Sequence, residues 1–184
     1  MQRCYLAGPD VFHPEMPALA GGKRALCARY GMTGCFPLDN AADLTGLSGR
    51  AAAMAIYRAN IELIESCDLL IANLTPFRGL SADPGTVFEL GYMSALGRPV
   101  AAYTLAPDSY LDRARAAGWL TAEALHDNDG QQVEDFGLGD NLMLAGALQS
   151  LEGSDRWIVT TGDWRQVADH LAAFDLCLQR LALG

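Results

Sequence analysis

Residues 67–100 read CDLLIANLTPFRGLSADPGTVFELGYMSALGRPV. The apolar run Leu69-Leu70-Ile71-Ala72 is too short for a helix and predicts a buried strand. A loop follows over Asn73 to Asp83, with Pro76, Gly79 and Pro84 as breakers. The stretch Pro84 to Gly97 predicts a helix. Thr86 and Glu89 form an S/T-x-x-E start signal, and Gly97 is a stop. Arg98-Pro99 then turns the chain into a second apolar strand, Val100-Ala101-Ala102-Tyr103. Strand, loop, helix, strand is one right-handed unit of a parallel sheet.

Glu89 is the odd residue, the one charge between Asp83 and Arg98. A helix apolar on every face is expected to be buried. Glu89 shares a face with Tyr92, Met93 and Leu96. A lone carboxylate there is costly unless something uses it. Read from the start signal, it sits in the first turn, where the helix dipole favours the ionised form. At the carboxyl end of a strand, such a group is suited to be a nucleophile. The competing reading is a capping-box Glu serving its own helix. The two are compatible, and this stretch leaves both open.

Upstream, Arg3 to Gly8 reads as the first strand, ended by Gly8-Pro9-Asp10 and followed by Phe12-His13-Pro14. This loop is expected on the ligand side of an open α/β sheet. Tyr5 is either core filling or functional, and His13 is expected at the surface. Pro17 to Tyr30 predicts an amphipathic helix stopped by Gly31, and Thr33 to Pro37 a second strand. Asp39 and Asn40 are turn residues or ligand contacts, with turn chemistry favoured. Ala51 to Cys67 predicts a long helix carrying Asn60, a weak helix former that faces either water or a ligand.

Downstream, Ala106 to Ala117 predicts a short helix, and Glu123 to Gln132 an exposed loop. Asp140 is the expected cap of a helix with Leu142, Leu144, Ala145 and Leu148 on its apolar face, and Met143 is either core or functional. Trp157 to Thr160 predicts a strand, and Trp164 to Leu183 a final helix. The alternation predicts an α/β fold, a doubly wound (flavodoxin- or Rossmann-like) three-layer sandwich on a parallel sheet of about five strands. One domain over 1–184 is expected.

A net charge of -9 argues against nucleic acid or an anionic membrane as the main partner. No apolar run is long enough to span a bilayer, and no signal-peptide layout is present. Cys4, Cys27, Cys35, Cys67 and Cys177 are scattered without C-x-x-C pairing, as expected of reduced core residues in a cytoplasmic protein. His13, His126 and His170 lack metal-ligand spacing. Neither a G-x-G-x-x-G turn after the first strand nor a P-loop lysine motif is present.

Four pieces resemble the nucleoside 2-deoxyribosyltransferase family. They are Tyr5-Leu6-Ala7-Gly8-Pro9; Asn60 to Asp68; Leu74 to Gly79 with Asp83-x-Gly85-Thr86-x-x-Glu89-Leu90-Gly91; and Phe136-Gly137-Leu138-x-x-Asn141-Leu142-Met143-Leu144. The resemblance implies exchange of the base of a 2'-deoxynucleoside for a free purine or pyrimidine base. It implies Glu89 as the nucleophile at C1', Asp83 as a second carboxylate that binds and helps protonate the base, and Tyr5 as the residue orienting Glu89. Asn60 stands where the family carries Asp or Asn. Gly8, Phe12, Phe77 and Arg78 are expected around the substrate, Arg78 otherwise being a solvated charge. Asn141 and Met143 match residues that complete a neighbouring subunit's sugar site, which implies a homo-oligomer. No metal or organic cofactor is required.

The chemistry suits these residue types. Glycosidic bonds break through an oxocarbenium-like state, with one carboxylate as nucleophile and another group as acid. Two alternatives share the same residues: an N-glycosidase that gives the sugar to water, acting on a nucleoside or nucleotide, and a non-catalytic nucleoside-binding module.

Overall fold

The computed structural model of the protein describes residues 1–39, 43–120, 125–149 and 156–182. Asn40, residues 123–124 of the expected loop and the last two residues of the chain lie outside these. Five strands form one parallel sheet: β1 (Gln2–Ala7), β2 (Met32–Cys35), β3 (Leu69–Asn73), β4 (Val100–Thr104) and β5 (Trp157–Val159). Their order is β2-β1-β3-β4-β5. The helices are α1 (Met16–Arg29), α2 (Gly49–Glu65), α3 (Pro84–Ala95), α4 (Tyr110–Ala116), α5 (Leu142–Leu148) and α6 (Val167–Ala182).

Every residue of β3 and β4 is buried. A parallel sheet covered by helices on both faces demands this, and it explains why these strands read as unbroken apolar runs. Successive residues of β1 serve opposite layers. Tyr5 and Ala7 pack with Leu63, Ile64, Leu90 and Met93 of α2 and α3. Cys4 and Leu6 pack with Cys27 of α1 and Phe174 and Cys177 of α6. All five cysteines are free and buried. The chain turns from β2 on one side of β1 to β3 on the other, so the β1–β3 edge is the switch point where such sheets bind ligands.

Three local expectations are corrected. First, α3 starts at Pro84, as the expected stretch does, but Thr86 is not its start signal. Asp83 is its N-cap, accepting the Thr86 N–H at 2.9 Å, and Pro84 takes the first helical position, where its missing N–H costs nothing. Glu89 therefore lies in the second turn, beyond the reach of a capping box. Nor is α3 buried all round: Phe88 is 49% exposed, and its C-cap Leu96 43%. Second, α4 starts at Tyr110 rather than Ala106, because Ser109 and Asp112 form a reciprocal cap. Third, Asn141, not Asp140, caps α5; of the two readings of Met143, its exposure leaves out the core one.

Candidate active site

β1 points Tyr5 at α3. Its ring is fully buried, and its hydroxyl donates a 2.6 Å hydrogen bond to Glu89 Oε1. That bond joins residues 84 apart in sequence. It answers the question left open about Glu89, whose carboxylate is engaged by the sheet rather than by its own helix start.

Burial pushes the Glu89 carboxyl up to about 7. The Tyr5 hydroxyl pulls it down, and the charge of Asp83 pushes it up further. The expectation that a helix start keeps Glu89 strongly ionised is thus corrected. Its second-turn position weakens the dipole, and dehydration dominates. Burial and the Glu89 charge together raise the Tyr5 phenol, so Tyr5 stays a proton donor.

Asp83 is held by one oxygen. Its Oδ2 accepts the Thr86 N–H at 2.9 Å and the Thr86 hydroxyl at 3.1 Å. Its Oδ1 has no hydrogen-bond partner among the described residues. Gly8, directly after β1, is required by close approach. A Cβ there would lie 2.9 Å from both Asn73 Cβ and Asp10 Oδ2. Gly8 lets the ends of β1 and β3 meet.

Phe12, Phe77 and Arg78 come together at a cavity that Tyr5, Asp83 and Glu89 do not line. The two rings stack with centroids 5.5 Å apart and planes at 13°. The Arg78 guanidinium lies 4.9 Å from the Phe12 centroid and 4.7 Å from that of Phe77. Arg78 has φ 54°, a left-handed conformation uncommon outside glycine. These residues border a cavity of about 400 Å³ whose other walls include Asp10, His13, Asn73, Trp164 and His170.

His13 is buried there, correcting the expectation of a surface residue. Its Nε2 bonds the Trp164 carbonyl, and its Nδ1 accepts the Glu15 N–H. His170 bonds the same carbonyl through Nε2 and the Tyr103 hydroxyl through Nδ1. Both imidazoles use both ring nitrogens internally, so neither is presented to a metal.

Asn60 is half-buried midway along α2, which packs against α3. Asn141 and Met143 make no hydrogen bond to Tyr5, Asp83 or Glu89. Asn141 is exposed, with Oδ1 accepting the Met143 N–H and Nδ2 donating to Glu134. Met143 is 71% exposed. Asp39 accepts the Phe36 N–H at 2.8 Å and pairs with Arg24, in keeping with turn chemistry. Sequence reasoning missed Thr86 as the anchor of Asp83 and Asp140 as a buried carboxylate. The D-x-x-T spacing was a signal for the first; nothing local marked the second.

A family model described as nucleoside 2-deoxyribosyltransferase matches residues 4–143. The chain belongs to this family. An uncharacterized protein of Schizosaccharomyces pombe is 30% identical over 164 residues, covering 81% of this chain and 78% of that one. The structure is similar to a 2-deoxyribosyltransferase from Leishmania mexicana, with 31% identity, TM-score 0.65, and coverage of 97% of this chain and 98% of that one. It shares its fold with a conserved protein from Enterococcus faecalis, at 23% identity and TM-score 0.55, over 96% of this chain and 98% of that one. The nucleoside 2-deoxyribosyltransferase match spans Tyr5, Asn60, Asp83, Glu89, Asn141 and Met143.

Proposed function

We propose that the protein, as one domain, transfers 2-deoxyribose between nucleobases through a covalent ester on Glu89. The observation that carries this is the 2.6 Å hydrogen bond from the Tyr5 hydroxyl to a dehydrated Glu89 carboxyl with Asp83 nearby. Family membership supplies the substrate class, 2'-deoxynucleosides and free bases.

In the first step a Glu89 oxygen attacks C1'. The C1'–N bond breaks, its electron pair goes to the base, and the Asp83 carboxyl supplies the proton. In the second step a nitrogen of the incoming base attacks C1'. The Glu89 carboxylate leaves, and Asp83 recovers a proton. Two inversions give net retention. Asp83 suits the proton role because Thr86 fixes one oxygen and leaves Oδ1 open. Tyr5 steadies Glu89 and lowers its basicity enough to keep part of it ionised near neutrality. Asn60, on the helix packed beside α3, is assigned to the base.

The site is proposed to be completed by a second copy of the chain. Tyr57 and Phe88 lie 6.2 Å apart, and Phe88 and Tyr92 6.0 Å, along the outer side of α2 and α3. Tyr57, Phe88, Phe136, Leu142 and Met143 are all exposed. An apolar surface of this kind suits a subunit interface. A cytoplasmic location fits five free cysteines. No helix among the described residues is long and apolar enough to cross a membrane.

Incubation with a deoxynucleoside and a second free base tests the reading. A new deoxynucleoside is the expected product. Free deoxyribose alone would instead assign the chain to hydrolysis, and no turnover would assign it to binding.

A further inference from the structure

One buried carboxylate holds two loops that the proposed reaction needs. Asp140 is 4% exposed. Its Oδ2 accepts the Ala82 N–H at 2.8 Å, and its Oδ1 accepts the Asn141 N–H at 2.8 Å. Ala82 immediately precedes Asp83; Asn141 is the N-cap of α5. Burying a carboxylate is costly unless its oxygens are bonded and its charge is balanced.

Arg113 of α4 spans the same two loops. Its Nε and Nη2 donate to the Leu80 carbonyl at 3.0 and 2.8 Å. Nη2 also donates to the Gly139 carbonyl, and Nη1 to that of Asp108 at 2.6 Å. The Asp140 charge favours the charged form of Arg113 against the pull of burial. The Tyr110 N–H adds a bond to the Leu138 carbonyl at 2.9 Å. The segments 80–82 and 138–141 are therefore joined through one carboxylate, one guanidinium and α4.

We propose that Asp140 is a positioning residue for sugar transfer: it fixes Asp83 beside Glu89 and ties that placement to the α5 start, which presents Asn141 and Met143. This rests on the transferase reading above. The carboxylate is needed because both of its oxygens accept N–H groups. An asparagine has one acceptor oxygen, and its NH2 would face the other N–H. One of the two bonds that Asp140 makes would then be lost.

The test is Asp140→Asn, read by the pH dependence of kcat/KM for base exchange. Glu89 is influenced by Tyr5 from β1 and by Asp83 from the cap of its own helix. If Asp140 places Asp83, the variant loses the Asp83 charge near Glu89, and the acidic midpoint of kcat/KM moves to lower pH. Asp83→Asn moves it the same way, and the double variant shows no further movement. The rate is expected to fall about tenfold or more, as for misplaced catalytic groups generally.

A merely structural carboxylate would lower the melting temperature and leave the midpoint of the folded enzyme unchanged. If Asp140→Asn does not fold, Arg113→Lys takes its place, since an ammonium cannot fork to Leu80 and Gly139 together. A folded variant with the wild-type midpoint and kcat/KM within about threefold would overturn the proposal. Loss of the transferase reading looks different: the wild-type protein itself would then make no new nucleoside.

Discussion

A carboxyl group that titrates near neutrality is a nucleophile over part of the working pH range only. In the proposed reaction Glu89 attacks as the carboxylate, and burial lifts it to about 7. For the free enzyme, kcat/KM should therefore rise with pH through about 7. The Tyr5 hydrogen bond lowers Glu89, so its loss in Tyr5→Phe should move this limb to higher pH, by roughly 0.5–1 pH unit. A pH–rate series on the two enzymes checks it; an unmoved midpoint would separate Tyr5 from the tuning of Glu89. The isolation of Glu89 in an apolar helix was visible in the sequence. Its ionisation was not, because it depends on a phenol 84 residues away and on how much water reaches the site.

α3 carries Glu89, and Asp83 caps it. Asn caps a helix about as well as Asp, whereas Ala costs about 1 kcal/mol. Asp83→Asn should thus keep the wild-type melting temperature while slowing exchange by about 10²-fold or more, the usual contribution of a general acid. Asp83→Ala should lose both stability and rate. Melting curves and turnover on the pair separate the roles, and a fast Asp83→Asn enzyme would leave Asp83 as a cap alone. The element itself was legible from Pro84, Gly97 and the flanking strands. Its cap was misread because D-x-x-T and T-x-x-E overlap here, and the side-chain contact to Thr86 decides between them.

Across the whole molecule, the parallel sheet and its helical layers follow from alternating strand and helix runs, whereas the strand order β2-β1-β3-β4-β5 does not. Contacts between distant segments do not: His13 reaches Trp164 over 151 residues, and no local pattern marks that pair. The predicted site also divides. Tyr5, Asp83 and Glu89 gather at α3, Phe12, Phe77 and Arg78 border a separate cavity, and Asn141 and Met143 face outward. If those last two complete a neighbour's site, inactive chains should rescue each other. Mixed assemblies of Glu89→Gln and Asn141→Ala chains should regain activity, about a quarter of wild type for randomly paired dimers. Mixed assemblies with no regained activity would place Asn141 in its own subunit's site.

The most direct test of the central claim is the mass of the protein after brief exposure to a 2'-deoxynucleoside, quenched in acid and digested. One deoxyribosyl group on the peptide containing Glu89, absent from Glu89→Gln and discharged by a second free base, is the predicted result. Base exchange in the Glu89→Gln protein at the wild-type rate, with no adduct on that peptide, would contradict it.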